Sequence, residues 1–160
     1  MLLRPISDAD VASVLDLNAA SVDALSPLDG ARLADLRALT TTADVVDVEG
    51  EVAAFVLVFG ASVAYDSVNY RWFGARYPDF AYLDRIVVGE RWRRRGIGRL
   101  VYDAVEQTVG PRGRVVCEVY AEPPNHASLA FHRDRGYVEV GRQEQENGKV
   151  TAMLVKELAG

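Results

Sequence analysis

Apolar residues recur at two periods along this chain. The tract Phe80-Ala81-Tyr82-Leu83-Asp84-Arg85-Ile86-Val87-Val88 is aromatic and β-branched, the composition of a buried strand. Further on, Ile97, Leu100, Val101, Ala104 and Val105 fall on one face of a 3.6-residue period, and Gly110-Pro111 ends that helix. Upstream, Leu2 to Ile6 reads as an edge strand, and Ser7 caps a helix running to about Ala20 with Asp8 and Asp10 in its first turn. Pro27-Leu28 starts a second helix carrying Leu33, Leu36 and Leu39. Val45 to Val48 and Val52 to Phe59 flank Glu49-Gly50, a hairpin signal. Val115 to Tyr120 predicts another strand, Asn125 to Arg135 a short helix between an N-cap and Gly136, and Tyr137 to Arg142 with Lys149 to Lys156 a closing hairpin.

Between the central strand and its helix lies Arg91-Trp92-Arg93-Arg94-Arg95-Gly96-Ile97-Gly98. Glycines at a helix start let the backbone approach an anion, which then meets free N–H groups and the positive end of the helix dipole. The arginines add charge and paired donors for phosphate oxygens. A P-loop would need four residues between the glycines and a following Lys-Ser or Lys-Thr, and has neither here. A dinucleotide fingerprint fits Gly96-x-Gly98 with Glu118 about 20 residues on, but Val101 stands where its third glycine belongs. The remaining pattern, Arg-x-x-Gly-x-Gly at Arg93, Gly96 and Gly98, resembles the acyl-coenzyme A pyrophosphate loop of the GNAT N-acetyltransferases.

A second segment strengthens that resemblance. Asn125-x-x-Ser128-x-x-Phe131-His132-x-x-x-Gly136-Tyr137 is similar to the GNAT segment that carries Asn, Ala or Ser, Phe or Leu, Tyr, Gly and an aromatic at the same spacing. The resemblance implies an α/β fold of one domain, residues 1–160, with a mixed central sheet of about seven strands flanked by about four helices. It implies an N-acetyltransferase moving an acetyl group from acetyl-CoA to a primary amine of a small molecule or peptide by direct attack in a ternary complex. Coenzyme A would lie on Arg93, the amides of Arg94, Arg95, Gly96, Ile97 and Gly98, and Asn125 and Ser128. The thioester carbonyl would meet N–H groups of the Ile86-Val87-Val88 stretch, where a β-bulge splays the strand.

For acid–base chemistry, His132 stands where the family usually carries the tyrosine that protonates the leaving sulfur. An imidazolium can donate a proton, while a lone helical histidine can equally be structural. Asp84 and Glu118, one on each central strand, are the candidate bases, and either could instead partner a cation such as Arg85. The connection from Ala61 to Asp79 is long, and with Phe80 and Tyr82 it holds half of the chain's aromatic residues. Its Asp66, Asn69, Tyr70 and Trp72 are expected to line the acceptor pocket; the alternative is a flap that completes the core or a dimer contact. The tract Ala64-Tyr65-Asp66-Ser67-x-Asn69-Tyr70-x-Trp72-Phe73 is also similar to a bacterial GNAT subgroup known mostly as predicted acetyltransferases, which leaves the acceptor open.

The net charge of −5 argues against general nucleic-acid binding, although Arg91, Arg93, Arg94, Arg95 and Arg99 form a basic island. No apolar run is long enough to span a bilayer, and the first residues lack a signal peptide's apolar region, so no membrane association is expected. The single Cys117 lies within a strand and precludes an internal disulfide framework, which suits a cytoplasmic location. Two histidines and one cysteine without paired spacing predict no metal site. Two other readings stay open: a non-catalytic acyl-CoA sensor, and an RNA-contacting module using the arginine island. A homodimer is also left open.

Overall fold

A computed structural model describes residues 1–21 and 25–159. Seven strands and five helices follow one another among them: β1 (Leu2–Pro5), α1 (Val11–Ala19), α2 (Gly30–Leu39), β2 (Thr42–Val48), β3 (Glu51–Gly60), α3 (Val68–Gly74), β4 (Ala81–Val88), α4 (Ile97–Val109), β5 (Arg114–Glu122), α5 (His126–Asp134), β6 (Val138–Glu144) and β7 (Val150–Glu157). The strands form one sheet in the order β1-β2-β3-β4-β5-β7-β6, in which only β4 and β5 run parallel.

Alternation on β3 explains the layering. Phe55, Leu57 and Phe59 point into one core with Val14 of α1, Leu33 and Leu36 of α2 and Phe73 of α3. Ala54, Val56 and Val58 point into the other, with Ile97, Val101 and Val105 of α4 and Leu154 of β7. A strand buried on both faces reads as a continuous apolar run, as Val52 to Phe59 does. The β2–β3 hairpin turns on Glu49 and Gly50, both at positive φ (53° and 86°), as a two-residue primed turn requires.

The element boundaries correct the sequence reading at three places. Ser7 opens a short 3₁₀ turn over Asp8–Asp10 before α1. Helix α2 starts at Gly30, behind an Asp29 side chain that accepts from the Arg32 amide, rather than at Pro27. The connection after β3 contains α3, a fifth helix where about four were expected; Ser67 caps it by accepting from the Tyr70 amide.

Two local irregularities make the site. Leu57 pairs with Arg85 and Val58 with Leu83, so Asp84 is an extra residue bulged out of β4. Strands β4 and β5 pair only at Ala81–Val115 and Tyr82–Val116, and then separate. The gap between them is a cleft of about 610 Å³.

Candidate active site

The cleft is walled by Leu83, Asp84, Arg85 and Ile86 of β4, by Cys117 to Tyr120 of β5, and by Asn125, Ser128 and His132 at α5. Successive strand residues normally face opposite ways. The bulge relaxes that rule, and Asp84 and Arg85 reach each other on the same side, Nε to Oδ2 at 3.2 Å. Arg85 is almost fully buried and spends its other donors on Asn18 Oδ1 (3.1 Å), the Ser26 carbonyl (3.0 Å) and Ser26 Oγ (2.7 Å). Asp84 also accepts from the Tyr65 hydroxyl at 2.8 Å. Burial raises the Asp84 carboxyl while the Arg85 charge opposes the rise. Asp84 is therefore a partner of Arg85 within a closed network.

Glu118 is different. Its Oε1 accepts from Tyr82 Oη at 2.7 Å and Asn69 Nδ2 at 3.1 Å. Its Oε2 is sealed from solvent and has no hydrogen-bond partner among the described residues. A buried, unpartnered carboxylate oxygen is costly unless something else occupies the site with it. Burial, followed by the nearby Asp84 charge, pushes the Glu118 carboxyl up to about 8, against the pull of the Tyr82 and Asn69 hydrogen bonds. Of the two candidate bases, Glu118 has the free oxygen.

His132 lines the same cleft but is almost fully buried. Its Nδ1 lies 2.7 Å from the Ser128 carbonyl, which only accepts, so Nδ1 carries the hydrogen. Its Nε2 then accepts from Tyr102 Oη at 2.6 Å. Burial also lowers its pKa from the usual histidine value. The arrangement is a neutral imidazole with both nitrogens engaged, which has no proton free to hand to sulfur. Tyr102 of α4, which holds it, was not singled out in the sequence; its place within an amphipathic helix concealed it.

The glycine turn starts α4 as expected. Arg94 (φ 62°) and Gly96 (φ 80°) are both left-handed, a curl of the kind that turns backbone amides toward an anion. Gly98 is not required by packing: a Cβ there would meet only the Phe131 ring, at 3.8 Å. The room beside it suits close approach of a ligand. Arg93, Arg94, Arg95 and Arg99 are exposed and form no ion pair among the described residues, whereas Arg91 pairs with Glu51. Ile86 reaches the cleft wall, while the Val87 side chain is core. Val88 packs against the second core. Asn125 caps α5, its Oδ1 accepting from the Ser128 amide at 3.2 Å.

The expected acceptor residues divide. Asp66 and Asn69 line the cleft, Asp66 ion-paired with Arg32 at 2.7 Å. Tyr70 does not: its hydroxyl donates to the Gly60 carbonyl at 2.6 Å, its ring is core, and it borders a separate cavity. Trp72 also lies off the cleft wall, pressed on Gly141 of β6 with the Arg76 guanidinium 3.5 Å above its ring. Helical geometry turns Tyr70, one residue on from Asn69, to another side of α3, whereas Trp72, three residues on, shares the Asn69 side but sits most of a turn further along, against Gly141. Gln145, missed in the sequence, meets Asn69 in the cleft; its position in a turn gave no periodic signal. Among the described residues no group of three or more metal-ligating side chains converges.

Residues 17–137 match the model of the Acetyltransferase (GNAT) family. The chain belongs to that family. Its fold is shared with Ard1 from Thermoplasma volcanium (TM-score 0.76, 20% identity, 99% of this chain and 98% of that one). It is shared also with the ribosomal-protein-S18-alanine N-acetyltransferase from Escherichia coli (0.71, 16%, 99% and 94%). A third likeness is Arabidopsis thaliana Naa50, solved in complex with the bisubstrate analogue CoA-Ac-MVNAL (0.73, 13%, 98% and 98%). No curated protein sequence matches. The bulge in β4 and the parting of β4 from β5 together build the cleft.

Proposed function

We propose that this GNAT chain transfers the acetyl group of acetyl-CoA to a primary amine of a small molecule or peptide, by direct attack in a ternary complex. The observation that carries the reading is the free Oε2 of Glu118 on the wall where β5 leaves β4. The coenzyme A pyrophosphate is assigned to the Arg93–Gly98 turn, whose amides and unpaired arginines match a compact polyanion. Transfer runs through the ionised form of Glu118, which grows as pH rises toward about 8: an ammonium acceptor is drawn to that carboxylate and gives it a proton. The neutral amine then attacks the thioester carbon, the C–S bond breaks, and its electron pair leaves on sulfur. His132 as found is neutral and bonded at both nitrogens, so the proton that the attacking nitrogen sheds as the amide forms reaches the thiolate through water in the open cleft.

The peptide in the Naa50 complex favours an acceptor of the peptide or amine class. Cys117 is buried, and burial pushes its thiol up, so it makes a poor nucleophile for an acyl-enzyme, which favours direct transfer. The test is thiol release from acetyl-CoA against a panel of amines, amino acids and peptides, with Glu118→Gln as control. Turnover of at least one amine that falls in the variant is expected. Saturable acetyl-CoA binding with no transfer to any amine would replace the enzyme by a sensor.

A further inference from the structure

Asn69 comes from α3, the helix inserted between β3 and β4, and the sequence assigns it to the acceptor. The hydrogen bonds around it say otherwise. Starting at the sheet, Thr151 Oγ1 donates to the Gln143 carbonyl at 3.2 Å, so its oxygen is left to accept. Gln145 Nε2 donates to that oxygen at 2.8 Å and to Asn69 Oδ1 at 2.9 Å. The amide of Asn69 is thereby turned, and its Nδ2 points at Glu118 Oε1 (3.1 Å) and Gln145 Oε1 (3.4 Å). The side-chain amide is thus engaged within the protein on both its oxygen and its nitrogen, and one carboxylate oxygen of Glu118 receives it.

We propose that Asn69 is a positioning residue: from α3 it holds Glu118 Oε1, together with Tyr82, and leaves only Oε2 to take up the acceptor's proton. This rests on the reading of Glu118 as the base. An amide N–H donated to a carboxylate favours its charged form, so Asn69 also sets how readily Glu118 gives up its proton. The groups that face Glu118 are few. Tyr82, Asp84 and Arg85 lie on β4, Arg32 on α2, Tyr65 and Asp66 just before α3, and Gln145 and Glu146 in the β6–β7 turn. Cys117 and Tyr120 lie on its own strand, and His132 on α5. Of these, Asp84 raises the carboxyl, and Tyr82 and Asn69 lower it. Tyr82 is part of the core, whereas Asn69 is only half-buried, which makes Asn69 the better position to vary.

The experiment reads the carboxyl itself and needs no acceptor. Protein labelled with ¹³Cδ-glutamate is titrated by NMR, with the Glu118 signal identified by its loss in Glu118→Gln. Asn69→Leu, of similar volume without the donor, is expected to raise the Glu118 midpoint by on the order of one pH unit. Gln145→Leu, which releases the Asn69 amide, is expected to raise it less. A folded Asn69→Leu protein whose midpoint stays or falls overturns the proposal. If that variant does not fold, Gln145→Leu carries the test with the same direction and the same overturning result. Normal turnover in Glu118→Gln would remove the base reading and leave the titration shift in Asn69→Leu to stand by itself.

Discussion

Two buried side chains of opposite habit share one cleft, and pH separates them. Burial pushes the folded Glu118 carboxyl up to about 8, above its unfolded value of about 4.3, so between those values the folded state holds a proton that the unfolded state has lost. Stability from this group is full below the lower value and is lost as pH rises through the upper one, by about 1.4 kcal/mol per pH unit at most. Glu118→Gln keeps the neutral shape and removes the titration. Its melting temperature relative to the wild type is expected to climb between pH 5 and 9 in differential scanning calorimetry, and a constant offset would refute the assignment. The same variant should lose roughly 10²-fold or more in kcat if Glu118 is the base. His132 runs the other way. Its folded pKa is depressed, so its contribution is present at neutral pH and is lost as pH falls below the unfolded value near 6.5. His132→Phe leaves the buried Tyr102 hydroxyl without its acceptor, an expected cost of about 1–3 kcal/mol by chemical denaturation. A pH–rate profile that loses an imidazolium limb in that variant would instead restore the histidine as general acid.

Elements whose function is a backbone shape were legible in the sequence, and those made by distant pairing were not. The Arg93–Gly98 turn could be read because glycine at a helix start is itself the device. Gly96 has φ 80° and Gly98 has open room, so the two should separate under substitution. Gly96→Ala is expected to lose about 1–2 kcal/mol of stability from left-handed strain. Gly98→Asp should fold normally, since its Cβ meets only Phe131, and yet abolish the thermal shift given by acetyl-CoA; a retained shift would move the pyrophosphate elsewhere. Helix α3 escaped the reading because seven residues rich in aromatics carry no clear period, although Ser67 was a cap in plain view. The Asp84 bulge and the parting of β4 from β5 depend on partners far away in the chain, and no local pattern reports them. Tyr70 and Trp72 stand off the cleft wall, and the sequence left pocket and core open for them because their aromatic character suits both equally. Trp72→Ala should therefore loosen α3 on β6 and lower the melting temperature by several degrees, with acetyl-CoA affinity unchanged. A stable variant with weakened acceptor kinetics would return Trp72 to the pocket.

Across the whole molecule the sheet is joined at its centre by two register positions, Ala81–Val115 and Tyr82–Val116. On one side lie β1 to β4, on the other β5, β7 and β6. Past the join the two parts are linked across the cleft by side chains, chief among them Tyr82 and Asn69 on Glu118. The cleft edge of β4 beyond Tyr82 has no strand beside it, so backbone amides on that edge lack sheet partners. A ligand laid between the strands supplies those partners and braces the two parts at once. Acetyl-CoA at 100 times its Kd is expected to stabilise the fold by about 2.7 kcal/mol, or roughly 5–10 °C for a chain of this size. Hydrogen exchange should show where the gain goes. New protection is expected at residues 83–88 of β4 and 93–98 of the turn, while the β2–β3 hairpin, already paired on both strands, stays unchanged. Protection confined to residues 93–98 would leave coenzyme A held by its pyrophosphate alone and remove the thioester from the β4 edge. A melting temperature that does not move with acetyl-CoA would take the cosubstrate out of the cleft.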